Sequence, residues 1–69
     1  MSPSRMRHIL KASVIDAQPR WGLEGYGVKV AFQDGATADG YVGALDDAGK
    51  VAKECEARGE RYFWEVVQG

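Results

Sequence analysis

The sequence predicts a small α+β domain in which an antiparallel β-sheet of three to four strands carries one helix on one face, in the order β-β-β-α-β. Three observations predict it: apolar residues alternate with other residues over positions 26–33, an Asp-Gly pair follows at once, and the apolar spacing becomes helical between positions 45 and 60. A period of two collects apolar side chains on one face of a strand, and a period near 3.6 collects them on one side of a helix. The two elements then bury these surfaces against each other in two layers.

The first strand is expected over residues 6–15. Its even positions are mostly apolar and its odd positions include Arg7, Lys11 and Ser13, which is the alternation of a strand with one buried face. Residues 16–27 then contain Pro19 and three glycines, so they predict a loop.

The second and third strands are predicted as a hairpin. Over residues 26–33 the alternating apolar residues are Tyr26, Val28, Val30 and Phe32. Asp34-Gly35 is a pair preferred in two-residue hairpin turns, where both positions can require positive φ. The third strand should run over residues 36–44, with a bulge or an edge position because it contains Gly40 and Gly43.

A helix is predicted next, with a buried stripe of small residues: Ala48, Val51, Ala52 and Cys55. We expect Asp46 to cap its N-terminus, Asp47 to interact with the positive end of the helix dipole, and Gly59 to end it. Glu54 and Arg58 stand four residues apart, in the order that favours an exposed ion pair.

The stretch RYFWEVV, residues 61–67, predicts the last strand because aromatic and β-branched residues favour strands. Since strand side chains alternate, we expect Tyr62, Trp64 and Val66 to face the helix. Phe63 and Val67 would then lie on the open face of the sheet, together with Ile9 and Ile15 of the first strand. This exposed apolar row would form a homodimer or contact a partner.

Length and composition place the 69 residues in a single domain, spanning 1–69. Cys55 is the only cysteine, so an internal disulfide and a cysteine-rich zinc site are excluded. No stretch approaches the roughly 20 apolar residues that cross a bilayer, and the N-terminal apolar run is too short for a signal peptide. We therefore expect a cytoplasmic protein without a membrane partner.

No catalytic residue, metal site or cofactor is predicted. His8 is the only histidine and has no second ligand in its segment, and Cys55 lies towards the end of its helix, where no helix dipole lowers its pKa. The glycines of residues 22–27 precede a strand, whereas a dinucleotide-binding loop must open a helix. We expect that the protein is not an enzyme.

Charge and aromatic residues indicate where a partner would bind. Between positions 30 and 49 the chain has four aspartates and no base, which favours a protein or ribonucleoprotein partner with a basic surface. Trp21 stands beside Arg20 in the predicted loop; it is either an interface residue or a cover that folds back over the core. The predicted partner-binding residues are Trp21, Asp34, Asp39, Asp46, Asp47 and Phe63.

Two resemblances bear on function. The stretch EGYGVKVAFQDGATADGYVGALDDAGKVAKECEARG resembles the first half of HicB-type antitoxins, although Gln33-Asp34-Gly35 replaces the Pro-rich segment that is typical between their strands. The overall build, a short chain with a small sheet, one helix and an acidic strip, is similar to phage-encoded inhibitors such as anti-CRISPR proteins. That likeness implies a domain that binds and blocks a surface of its target.

Two hypotheses follow. The first is a small non-enzymatic protein that modulates or inhibits a macromolecular partner by occupying its binding surface. The alternative is a nucleic-acid-binding or HicB-like antitoxin module, in which Trp21 or Tyr26 stacks on a base and the basic residues of the N-terminal part contact phosphates: Arg5, Arg7, Lys11 and Arg20. Direct nucleic-acid binding is the less favoured of the two, because the basic surface is modest.

Overall fold

The computed structural model describes residues 7–68 and has the predicted α+β architecture, with a three-stranded antiparallel sheet in the order β1-β2-β3 and helices packed on it. The elements are β1 (Ile9–Asp16), α1 (Ala17–Trp21), β2 (Tyr26–Phe32), β3 (Thr37–Gly43), α2 (Leu45–Arg58), α3 (Glu60–Phe63) and one π-helical turn (Trp64–Gln68). Apart from the short helix α1, the predicted order holds from the first strand to the long helix. It fails at the last element, which is helical.

The core lies between α2 and one face of the sheet, which we call the core face. Its buried residues are Ile9, Val28, Val30, Phe32, Ala48, Val51, Ala52, Cys55 and Phe63. The alternation predicted for β2 is confirmed, since Val28, Val30 and Phe32 are all buried. The small side chains of α2 let the helix approach the sheet closely, so the strands and Phe63 supply the bulk of the core.

A β-bulge changes the phase of β1. The register shifts between Ile9 and Lys11, so Leu10 has no cross-strand partner and its side chain is 68% exposed. Because one extra residue reverses the side-chain alternation, Ile9 joins Val14 on the core face although their positions differ in parity. Our prediction that Ile9 lies on the open face is therefore wrong, whereas Ile15 pairs with Gly27 on that face as expected.

The hairpin between β2 and β3 has a three-residue turn instead of the two-residue turn we predicted. The Gly35 N–H donates to the Phe32 carbonyl at 3.0 Å, and the Phe32 N–H donates to the Ala36 carbonyl at 2.8 Å. Gly35 has φ 92°, so the glycine supplies the positive φ that such a turn needs. β3 is an edge strand with a register shift opposite Tyr26 and Gly27, in agreement with the expected irregularity.

The long helix α2 ends where the sequence predicts, but its N-terminal cap differs from the predicted one. The cap residue is Ala44 rather than Asp46, which lies inside the first turn with Asp47. Both carboxylates are still near the positive end of the helix dipole. Gly59 follows the helix with φ 89°, as predicted, and the Glu54–Arg58 ion pair forms at 2.9 Å.

Two segments are helical where the sequence predicted otherwise. Residues 17–21 form α1 rather than part of a loop, with Ala17 fully buried. The final aromatic stretch continues from Gly59 as helical turns, which insert Phe63 into the core and bring Val67 against Gly40 of β3. Strand propensity reflects packing on a pleated surface, and this segment packs across the sheet instead of pairing with it.

The orientation predicted for that segment is also reversed. Phe63, predicted on the open face, is fully buried, and Val67 is half-buried against the core. Trp64 and Val66, predicted to face the helix, are 38% and 50% exposed. Tyr62 packs against the core as expected.

Candidate binding surface

The sheet face opposite α2, which we call the open face, is a small grid of side chains. Because residues alternate across a strand, three positions of each strand point away from the core. The antiparallel register sets them in three rows, about 7 Å apart along the strands. The rows are Lys11, Ala31 and Thr37; Ser13, Lys29 and Asp39; and Ile15, Gly27 and Tyr41.

One end of the open face is aromatic. The Trp21 ring lies on Gly27, where an added Cβ would be 2.6 Å from a ring carbon. Trp21 also packs edge-to-face on Tyr41 with ring centroids 6.1 Å apart, and the Tyr41 hydroxyl donates to the Glu24 carbonyl at 2.7 Å. Trp21 thus folds back onto the sheet, but onto the open face rather than over the core. Tyr41 remains 42% exposed.

The other end of the open face is a shallow groove of about 280 Å³. Small side chains leave this space, and two lysines flank it; the lining consists of Lys11, Ser13, Lys29, Val30, Ala31 and Thr37. Both lysines are exposed. Within residues 7–68 neither forms a salt bridge with a carboxylate.

An ion pair joins the aromatic end of this face to its middle row. The Nε of Arg20, in α1, lies 2.9 Å from the Asp39 Oδ2. The Asp39 side chain is mostly covered, whereas that of Arg20 is largely exposed. Asp39 therefore has an intramolecular counterion and is not a free acid of the surface.

Charge is segregated between the two sides of the domain. The open face carries three bases and one acid: Lys11, Arg20, Lys29 and Asp39. The α2 helix carries four acids and three bases: Asp46, Asp47, Lys50, Lys53, Glu54, Glu56 and Arg58. A chain with net charge -1 thus has a sheet face of net positive charge.

The structure does not bring the four predicted aspartates together. Asp34, in the hairpin turn, accepts from the Ala36 N–H and from the Arg7 guanidinium, and both contacts lower its pKa. Asp46 and Asp47 lie at the opposite end of β3, which extends for about 20 Å. With Asp39 paired to Arg20, only Asp46 and Asp47 are close neighbours, and no continuous acidic strip forms.

A polar cluster that the sequence did not predict closes one end of the core. Arg7 donates to the Glu60 carboxylate through Nε at 3.0 Å, Nη2 at 2.7 Å and its backbone N–H at 2.9 Å. Trp64 Nε1 donates to the same carboxylate at 2.8 Å. The Arg7 guanidinium lies 4.0 Å from the centroid of the Phe32 ring. Arg7 lies 53 residues before Glu60 in the sequence, so no local pattern could have indicated their contact.

The electrostatics of this cluster fix its protonation. Hydrogen bonds from the Arg7 side chain, and then from Trp64, lower the pKa of Glu60 to about 2. Hydrogen bonds to the Glu60 and Asp34 carboxylates raise the pKa of Arg7 above its ordinary value. The guanidinium of Arg7 is thus held by two carboxylates of the folded chain, those of Glu60 and Asp34.

Phe63 and Cys55 both belong to the buried core. Phe63 is buried, so it is not available to a partner. Cys55 is fully buried, and burial together with nearby Glu56 raises the pKa of its thiol to about 11, which disfavours the thiolate. His8 is exposed. In the described part of the chain there is no cluster of three His, Cys, Asp or Glu residues that could hold a metal ion.

The edges of the sheet are contacted by side chains. Glu56 of α2 accepts from the Ala12 N–H of β1 at 2.8 Å, and the Gln68 amide donates to the Asp39 carbonyl of β3. Edge groups that are already bonded offer less to an added strand. One backbone group on each edge of the sheet is therefore bonded to a side chain, while the open face carries the groove.

Comparisons with known proteins give no relatives. No protein-family model, no curated protein and no solved structure matches this chain. Among residues 7–68, moreover, no helix has both the length and the apolar character needed to traverse a bilayer.

Proposed function

We propose that this chain is a small non-enzymatic binding protein that modulates a macromolecular partner by occupying one of its surfaces. The observation that carries the proposal is the asymmetry of the sheet. The helices bury its core face, while the open face offers a groove beside an aromatic pair. Such a concave surface with a few polar groups is the usual form of a binding site.

The chemistry of the open face favours binding over catalysis. The hydroxyl groups that line the groove belong to Ser13 and Thr37, and activating either would need an adjacent base. His8 lies five residues before Ser13 in the same extended segment, about 15 Å away. The described lining of the groove places no histidine or carboxylate beside these hydroxyls, which supports binding.

The size of the domain supports an inhibitory mode of action. A compact domain with one accessible sheet face can cover a site on a larger assembly, as phage-encoded inhibitors of the anti-CRISPR type do. The HicB-type antitoxin pattern implies the same principle, since an antitoxin neutralises a partner by binding it. We place this activity in the cytoplasm, where the lone thiol of Cys55 stays reduced.

The test is affinity capture from cell lysate with two matched variants. Ala31→Glu introduces a carboxylate into the groove, while Ala57→Glu introduces it on the exposed side of α2. We expect the wild type and Ala57→Glu to recover the same partner, and Ala31→Glu to lose it while circular dichroism shows that it remains folded. Equal capture by all three would contradict the role of the open face. Capture of nothing by the wild type would contradict binding as the function.

A further inference from the structure

We infer that the open face binds an extended single-stranded nucleic acid, with phosphates at Lys11 and Lys29 and a base against Tyr41. The inference rests on the proposed function, because it names the partner class of the same face. The sequence favoured a partner with a basic surface, and the structure gives reason to reverse this preference. The aspartates on which it rested are dispersed or paired. Two lysines without carboxylate partners in residues 7–68 share one groove instead.

The two lysines are placed for a polyanion. Lys11 pairs with Ala31 in the register, and Lys29 precedes Ala31 by two residues, so the lysines are diagonal neighbours with Cα atoms roughly 7–8 Å apart. This separation is on the scale of neighbouring phosphates in an extended strand. Since the helix side carries more acids than bases, a polyanion is directed towards the sheet.

The aromatic end supplies a stacking platform. Tyr41 is fixed by its hydrogen bond to the Glu24 carbonyl and by an edge-to-face contact with Trp21, yet it is 42% exposed. A positively charged groove followed by a held aromatic ring is the arrangement by which proteins bind single strands without strong sequence preference. The small side chains of the groove, Ser13 and Ala31, leave room for the sugar-phosphate backbone.

Three other occupants fit the face less well. An acidic peptide would satisfy the lysines but would leave the Tyr41 ring without a partner. A second copy of the chain, docked face to face about a two-fold axis, would bring Lys11 and Lys29 against their own equivalents. Duplex DNA calls for a larger basic surface than three bases and one acid provide.

The test is a titration of the intact chain with an oligothymidylate of eight nucleotides. Amide shifts in a ¹⁵N NMR spectrum should concentrate on the three rows of the open face and on α1. By fluorescence anisotropy between 50 and 200 mM salt, two phosphate contacts predict a slope of about -1.4 in log affinity against log salt. Lys29→Gln should reduce the slope to about -0.7, whereas Lys53→Gln on the exposed side of α2 should leave it unchanged.

The aromatic contact has its own readout. Tyr41→Leu should weaken oligothymidylate binding about tenfold without changing the salt slope, because stacking carries no charge. A polyglutamate peptide that binds as tightly as the oligonucleotide, with no effect of Tyr41→Leu, would assign the face to an acidic protein instead. Equal slopes for Lys29→Gln and Lys53→Gln would also overturn the inference.

Failure of this inference can be separated from failure of the proposed function. If the oligonucleotide causes no shifts while nuclease-treated lysate still yields a partner that Ala31→Glu loses, the open face binds a protein and only the nucleic-acid inference is overturned. If neither experiment detects a ligand of the open face, both proposals fail.

Discussion

At the scale of single residues, Glu60 is the clearest example of a charge that the fold needs. It is the only buried charged residue among residues 7–68, with 8% exposure, and its carboxylate accepts hydrogen bonds from Arg7 and Trp64. A buried charge is tolerable only with such partners. The Arg7–Glu60 pair also joins the first described residue of the chain to the C-terminal helical turns, so it holds two segments together.

Glu60→Gln is expected to lower the free energy of unfolding by about 2 kcal/mol, because the amide loses the charge-assisted hydrogen bonds. Urea denaturation followed by circular dichroism measures the change. Glu65→Gln is the matched control: Glu65 is exposed and forms an i,i+4 pair with Arg61 at 3.4 Å, which is worth only a few tenths of a kcal/mol. Equal losses for the two variants would contradict a structural role for Glu60.

At the scale of elements, the C-terminal segment shows how packing overrides propensity. Strand and helix periods both group Phe63 with Val67, so the pattern could not distinguish them. Tertiary contacts favour the helical form of this segment. Phe63 packs edge-to-face on Phe32 and Trp64, and Val67 contacts Gly40. The same packing exposes Trp64 and Val66, which the strand model had placed inside.

Two substitutions in this segment should differ sharply. Phe63→Ala removes a fully buried ring and should lower the free energy of unfolding by about 3–5 kcal/mol. A loss of that size is a large part of the total stability of so small a domain. Trp64→Phe keeps an aromatic ring and loses the hydrogen bond to Glu60, so it should cost about 1 kcal/mol. Thermal unfolding midpoints measure both. A larger loss for Trp64→Phe would restore the orientation that the sequence predicted.

At the scale of the whole molecule, the ion pairs give stability a pH dependence. The pKa values of Glu60 and Asp34 are lowered in the folded state, Glu60 to about 2. A carboxyl whose pKa is lower in the folded than in the unfolded state stabilises the fold fully above the unfolded value, near 4.5 for Glu60. That contribution is lost as the pH falls towards the folded value.

We therefore expect the thermal midpoint to be nearly constant from pH 7 to pH 5 and to fall between pH 4.5 and pH 2. Glu60→Gln should start from a lower midpoint and show a shallower decline, since it lacks the main group that takes up the proton. A midpoint that rises on acidification, or an equal decline in Glu60→Gln, would show that other groups control acid stability.

The sequence by itself determined the two-layer α+β domain, the β2–β3 hairpin and the long helix ending at Gly59, because local periodicity and turn chemistry encode these features. It also placed Cys55 in the core. Tertiary structure alone decided the bulge at Leu10, the helical C-terminal segment, the Arg7–Glu60 pair and the position of Trp21 on the open face. These features depend on contacts between residues distant in sequence, and the free energy of such contacts outweighs local preference only when the chain is packed.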